Sequence, residues 1–326
     1  MMKKKHLIGF FIGLLFSIGA YSQKDQTFAE FESQMKELLD QAIDSPKDNE
    51  RYNANERLLT IMEEVLNMEK SFSHPFASLN RISNLKSADN KFRILTWAVK
   101  NQEGSFENFG FVQAKNETSD EYEVYILKDK SEEIFNPELT KTDNQMWFGA
   151  VYYELLTMEY EDRKVYTLLG YDGNNLYTKR KIIDFISFKT KDARPYFGQN
   201  VFHKDRDRYR YIFEYNPDAN FFLLWDNQYY EDTKASKRQK KSRRTRITTN
   251  EPNLIQEYMI VYDVLEPMFE GMEGSTKAQF YVSSGYVNGF KFERGRWRLV
   301  ENVQPRNSKP EPKIKQKAPQ IPLYKP

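Results

Sequence analysis

The sequence predicts a mainly β protein with an N-terminal helical hairpin, an α+β chain whose bulk is an antiparallel meander. Three observations predict it. Apolar residues recur at helical spacing only between residues 28 and 66; beyond residue 72 the pattern changes to short β-rich runs. Those runs are separated by short polar connectors, which join antiparallel neighbours. Aromatic residues make up 15% of the chain, with 21 Tyr and 24 Phe, and they favour half-buried strands.

The elements follow in order. Residues 1–22 open with Lys3, Lys4 and Lys5, run through an apolar stretch from Leu7 to Ile18, and close on Gly19-Ala20-Tyr21-Ser22. This is the layout of a cleavable signal peptide, with small residues before the bond from Ser22 to Gln23. The apolar stretch is shorter than the roughly 20 residues of a membrane span, so no transmembrane anchor is expected after cleavage. No cysteine follows it, which rules out lipid attachment there. With the signal gone, the formal charge moves from +2 to −1 and His6 is lost, leaving two histidines. A near-neutral chain has no global attraction for nucleic acid, and no nucleic-acid partner is expected.

Residues 23–71 form the helical segment. Thr27-Phe28-Ala29-Glu30 matches a capping box, and Phe28, Phe31, Met35, Leu38, Leu39 and Ala42 share one face. Pro46 to Asn49 then separates a second helix, expected from near Asn53, that aligns Leu58, Leu59, Met62, Val65 and Leu66. Residues 72–303 hold the predicted strands. They are expected at Lys91 to Val99, Asn108 to Ala114, Tyr122 to Asp129, Trp147 to Tyr160, Lys164 to Tyr171, Lys179 to Phe188, Gly198 to His203, Tyr209 to Tyr215, Phe221 to Asp226, Tyr258 to Val264, Ala278 to Val282, Gly289 to Glu293 and Trp297 to Val303. About a dozen strands in order could close as a barrel, stack as a sandwich or repeat in a propeller-like way. Residues 231–249 carry eight basic residues from Lys234 to Arg246 and are expected to form a mobile insertion. Residues 304–326 alternate proline with lysine and read as an extended, disordered tail.

Chemistry-bearing patterns are sparse. The absence of cysteine excludes thiolate metal sites, disulfides and cysteine nucleophiles. His74 and His203 are too few for a histidine metal site, and no metal or cofactor is expected. There is no Gly-x-Ser-x-Gly elbow, Walker loop or dinucleotide-binding glycine pattern; Ser283-Ser284-Gly285 reads as a turn. Carboxylates near strand ends, Asp172, Asp184, Asp226 and Asp263, could supply an acid pair. Asp172 sits in Asp-Gly-Asn-Asn, which lacks the later ligands of a calcium loop and reads as a hairpin turn. Asp184, inside Ile-Ile-Asp-Phe-Ile, must face water by strand alternation or be paired; alternation suffices. Trp97, Trp147, Trp225 and Trp297 could stack on sugars, although core packing is the commoner use of tryptophan in strands.

Three segments, Lys91 to Trp97, Leu168 to Asn175, and Val264 to Pro267 with Gln279 to Val282, resemble uncharacterised exported β-rich proteins of Bacteroidota-type bacteria. The resemblance covers roughly Phe72 to Val303. It implies an exported location in the periplasm or outside the cell, and brings no reaction. Gly285 to Phe290 is similar to a segment with aspartate where this chain has Asn288. The sequence leaves catalytic residues unknown. It favours a non-enzymatic binding or scaffold protein of the periplasm or cell envelope, with an envelope protein or glycan as partner; the alternative is a carboxylate-dependent hydrolase, carbohydrate-active in its most natural form.

Overall fold

A computed structural model describes residues 27–189, 192–231, 254–273 and 277–303. The expected signal peptide, the bulk of the basic insertion and the proline-rich tail lie outside the described residues.

The helical hairpin forms as the spacing predicts. Helix α1 (Phe28–Asp44) is capped by Thr27, whose hydroxyl accepts from the Glu30 amide while the Glu30 carboxylate accepts from the Thr27 amide at 2.8 Å. Helix α2 (Asp48–Leu66) begins five residues earlier than expected, so only Ser45, Pro46 and Lys47 separate the two. Met35, Leu38, Leu39 and Ala42 of α1 and Leu58, Met62, Val65 and Leu66 of α2 are buried.

Among the described residues the β region is three antiparallel sheets, with no closed barrel. The first runs in order β1 (Ser83–Lys86), β2 (Phe92–Lys100), β3 (Phe106–Lys115) and β4 (Tyr122–Lys128). The second is built on β6 (Val151–Tyr160), β7 (Arg163–Asp172) and β8 (Lys179–Phe188). One half of the free edge of β8 pairs with β9 (Pro195–Phe197), which carries the short β5 (Thr142–Asp143), and the other half pairs with β10 (Tyr211–Tyr215). The third runs β11 (Leu223–Glu231), β12 (Leu254–Pro267), β13 (Tyr281–Glu293) and β14 (Arg296–Val300).

These pieces stack in four layers. Alternate residues of β2 divide between two cores: Leu95, Trp97 and Val99 pack under the helices, while Phe92 and Ile94 meet Tyr166, Leu168, Ile182 and Ile186 of the second sheet. The other face of the second sheet, Val165, Leu169, Ile183 and Phe185, packs on Ile260, Tyr262, Phe290 and Trp297 of the third. The first two sheets are therefore buried on both faces. This explains why β2, β7 and β8 read as nearly continuous apolar runs where a one-sided sheet would alternate.

The structure redraws several expected strands. Gly198 to His203 is not a strand; its one pairing is an isolated bridge from Phe202 to Trp297. Ser283-Ser284-Gly285 is no turn. Of the expected strand Ala278 to Val282, Ala278–Phe280 form a 3-10 turn, while Tyr281 and Val282 join this segment and Gly289 to Glu293 in the single strand β13, in which Ser284, Gly285 and Tyr286 face Val264 alone, because Asp263 pairs with Val287 and Leu265 with Ser283. This bulge keeps β12 and β13 paired while Tyr286 stays 66% exposed.

Candidate functional site

A buried polar cluster that opens to a cleft lies at the seam between the first and second sheets. Asn108, the third residue of β3, is 3% exposed. Its side-chain nitrogen donates to Asp129 Oδ2 at 3.1 Å and to Asp172 Oδ1 at 3.2 Å. One amide thus bridges two carboxylates that stand 43 residues apart in sequence. The orientation of the amide is fixed by this contact, because a flip would set an oxygen against both anions. Asn108 Oδ1 is left buried with no partner.

Asp129 follows β4 directly and is held from all sides. It accepts from the Asn108 amide and side chain, from the Ser131 amide and hydroxyl, and from the Gly149 amide. A carboxylate offers about four lone-pair directions, so these five bonds use its capacity. Gly149 is required for this approach: a Cβ there would fall 2.1 Å from the Asp129 carboxylate.

Asp172 ends β7. Its Oδ1 accepts from the Asn174 amide at 2.9 Å, the two-residue reach of an Asx turn, while Oδ2 has only a loose 3.4 Å contact with Arg180. The hairpin turn expected at Asp-Gly-Asn-Asn is present, joining β7 to β8, with Asn174 in the left-handed region at φ 49°. Gly173 lets the Phe106 ring lie on the turn, where a Cβ would meet the ring at 2.6 Å. The turn is further stitched to β10, since the Glu214 carboxylate accepts from Thr178, Asn174 and Arg180. Burial, reinforced by the charge of Asp129, pushes the Asp172 carboxyl above the usual carboxylate range, against the lowering pull of the Asn174 amide, Arg180 and Asn108.

Around this centre opens a cleft of about 380 Å³ lined by Asn108, Asp129, Asp172, Arg180, Glu107 and Glu133, among others. A second cleft of about 520 Å³ shares Ser131, Glu132 and Arg180 with it and adds the apolar Ile134, Leu139, Phe148 and Ile212. The two adjoin through these shared residues, and the second is lined as well by the charged Glu138, Arg208 and Glu214.

The remaining sequence candidates are dispersed. Asp184 does not face water. Both faces of its sheet are covered, so strand alternation offers no wet side, and the residue is fully buried against Arg210, with Arg210 Nε 3.2 Å from Asp184 Oδ2. Its other bonds come from the Phe185 amide and, at 3.3 Å, from the Tyr152 hydroxyl, which itself accepts from Trp147 Nε1. Asp226 and Asp263 belong to the third sheet; Asp263 accepts from the Phe222 amide. His74 Nε2 lies 2.7 Å from Glu32 and tethers α1, and His203 is exposed on a turn. Asn288 accepts from the Asn302 amide. Among the described residues, no three histidines or carboxylates converge to hold a metal ion.

The tryptophans divide three to one. Trp97, Trp147 and Trp297 are fully buried, their indole N–H groups bonded to Asn55, Tyr152 and Thr167. Only Trp225 is less enclosed, stacked on the exposed Tyr258 at 5.6 Å. Comparison with protein-family models, with curated proteins and with solved structures returned no match.

Proposed function

We propose that this chain is an exported, non-enzymatic binding protein of the periplasm or cell envelope, and that its ligand enters the groove at the seam of the first two sheets. The N-terminal charge and hydropathy pattern supports export, as does the resemblance to exported β-rich proteins. One observation carries the binding site: a polar cleft opens at the seam, where one buried amide bridges the Asp129 and Asp172 carboxylates and Asp172 Oδ2 keeps only a loose 3.4 Å contact with Arg180.

Hydrolysis is the second reading, favoured by the proximity of Asp129 and Asp172. Each is one hydrogen bond from the same nitrogen, which admits the roughly 5 Å separation of a retaining glycosidase pair. Against it stands the saturation of Asp129, whose five donors leave no lone pair for attack. Asp172 has the raised affinity for a proton that a general acid needs.

The test is a nuclear magnetic resonance screen of the mature protein against envelope oligosaccharides and peptides. A ligand of the groove should move the resonances of Asn108, Asp172 and Arg180; ligands that move only residues elsewhere would refute the site. New reducing ends released by the wild type and not by Asp172→Asn would replace binding with hydrolysis. Mass spectrometry of the mature N-terminus should find Gln23, and an intact Met1 in fractionated protein would defeat the export claim.

A further inference from the structure

We propose that the seam between the first and second sheets is a proton-sensitive joint: with Asp172 protonated the β7–β8 turn stays seated on β3, and with Asp172 ionised the turn lifts from β3 and wets its carboxylate. This names a regulation of the cleft proposed above as the binding site, and it rests on that reading only in treating the cleft as a ligand entrance.

The geometry sets up the joint. The Asp129 and Asp172 carboxylates lie within 3.2 Å of one nitrogen, Asn108 Nδ2, although one follows β4 of the first sheet and the other ends β7 of the second. Two carboxylates sharing one site repel each other when both are ionised. They are unequally equipped to bear that charge. Asp129 accepts from five donors. Asp172, 3% exposed, has the Asn108 side chain, the Asn174 amide and the loose contact with Arg180. Burial, reinforced by the Asp129 charge, outweighs these and holds the Asp172 proton more tightly than in water.

The surrounding charges do not cancel this. Glu107 of β3 and Glu132 and Glu133 of the segment after Asp129 add negative charge at the cleft. Lys130 is paired with Glu133 at 2.6 Å, and Arg180 of β8 is divided among Asp172, Glu132 and Glu214 of β10. Tyr171, the chain neighbour of Asp172, stays protonated in the carboxylate range, because burial pushes its phenol up.

The way the turn is fastened decides where it yields. On one side Glu214 of β10 accepts from Thr178, Asn174 and Arg180, which ties the turn to its own sheet. On the other side, beside the carboxylate pair, the Phe106 amide donates to the Asn174 carbonyl at 2.9 Å and the Phe106 ring lies on Gly173. A turn that yields therefore leaves β3 and stays with the second sheet, which widens the cleft. The sign follows from linkage. A carboxyl whose proton affinity is raised in the seated state and ordinary in the lifted one favours seating below its ordinary value, about pH 4, and that preference is lost as pH rises through the raised value.

Amide exchange of the ligand-free mature protein tests the joint. It is followed by nuclear magnetic resonance over a pH series and expressed as protection, so that the intrinsic pH dependence of exchange divides out. Protection of the Phe106 amide should fall severalfold as pH rises above about 4. It should stay below that of Leu168 and Ile183 throughout, and its midpoint should match that of the Asp172 carboxyl carbon. In Asp172→Asn most of the fall should vanish; should that variant lose its thermal transition, the shared midpoint in the wild type decides alone. A flat Phe106 profile, or a midpoint other than that of Asp172, overturns the joint. So does protection equal to that of Leu168 and Ile183, because the seam then opens only with the whole molecule. A ligand screen that finds nothing at the cleft removes the binding site and leaves the joint, whereas a ligand that moves Asp172 beside a flat Phe106 profile does the reverse.

Discussion

Asp172 and Asp184 stand on neighbouring strands, and burial raises the proton affinity of both; one lines an open cleft and the other is sealed. Asp184 meets a guanidinium, a tyrosine hydroxyl and a backbone amide, so its charge is answered inside the protein. Asp172 meets a guanidinium, an asparagine amide and a backbone amide, and each site keeps one buried atom without a hydrogen-bond partner, Arg210 Nε beside Asp184 and Asn108 Oδ1 beside Asp172. Burial of an acid therefore does not by itself mark a ligand site. What separates the two is the cleft that opens beside Asp172.

The two regions are also joined. Arg210 donates to the carbonyls of Pro137 and Thr140 and to the Thr142 hydroxyl, so the sealed ion pair anchors the segment that walls the second cleft. Arg210→Met should have the largest effect. It strands the Asp184 carboxylate and releases that wall, at a cost of about 3–5 kcal/mol, measured by urea unfolding. A companion Asp184→Leu, which removes the stranded charge, should recover part of the loss. A loss below about 1 kcal/mol for Arg210→Met would show that the pair is not what secures the interface.

Gly149→Ala comes next. The added methyl collides with the Asp129 carboxylate, and an overpacked site of this kind costs about 1–3 kcal/mol. The same denaturation measures it, and unchanged stability would mean that Asp129 is not clamped as the geometry has it.

The smallest effect belongs to Asp172→Asn at fixed pH, and its signature is a slope. A carboxyl whose folded proton affinity is raised contributes stability below its unfolded value, and that contribution is lost as pH rises through the folded value. Wild-type stability should thus decline more steeply than that of the variant as pH rises above about 4, the ordinary carboxylate value. Parallel pH profiles would remove Asp172 as a titrating group.

Local signals in the sequence carried much of the fold. The α1 cap, the apolar stripes of both helices and the exact extent of β8 follow from spacing between near neighbours. The sheet arrangement was less legible, because a continuous apolar run such as Phe92 to Val99 fits several buried settings and only the packing shows that both faces of β2 are covered. That is also why Asp184 was expected to find water. Of the cleft, Asp172 and its turn were visible, whereas Asn108 and Asp129 were not. Each is an ordinary polar residue near a strand end, and their relation exists only after β3, β4 and β7 come together. The available local hint was Gly149 following Trp147-Phe148, and a lone glycine there has no single meaning.

The layering has a kinetic corollary. A sheet covered on both sides has no face from which water can attack its ladder, so the amides of β7 and β8 cannot open without displacing the sheets above and below. With those of β2 and β3, whose sheet is covered in the same way, they are expected to be among the last to exchange with deuterium, far behind the edge strand β14. Mass spectrometry of timed exchange reads that ranking, and β7 amides exchanging as early as those of β14 would contradict it. The second sheet would then be the slow clock of the molecule, timing its global unfolding rather than any local breathing.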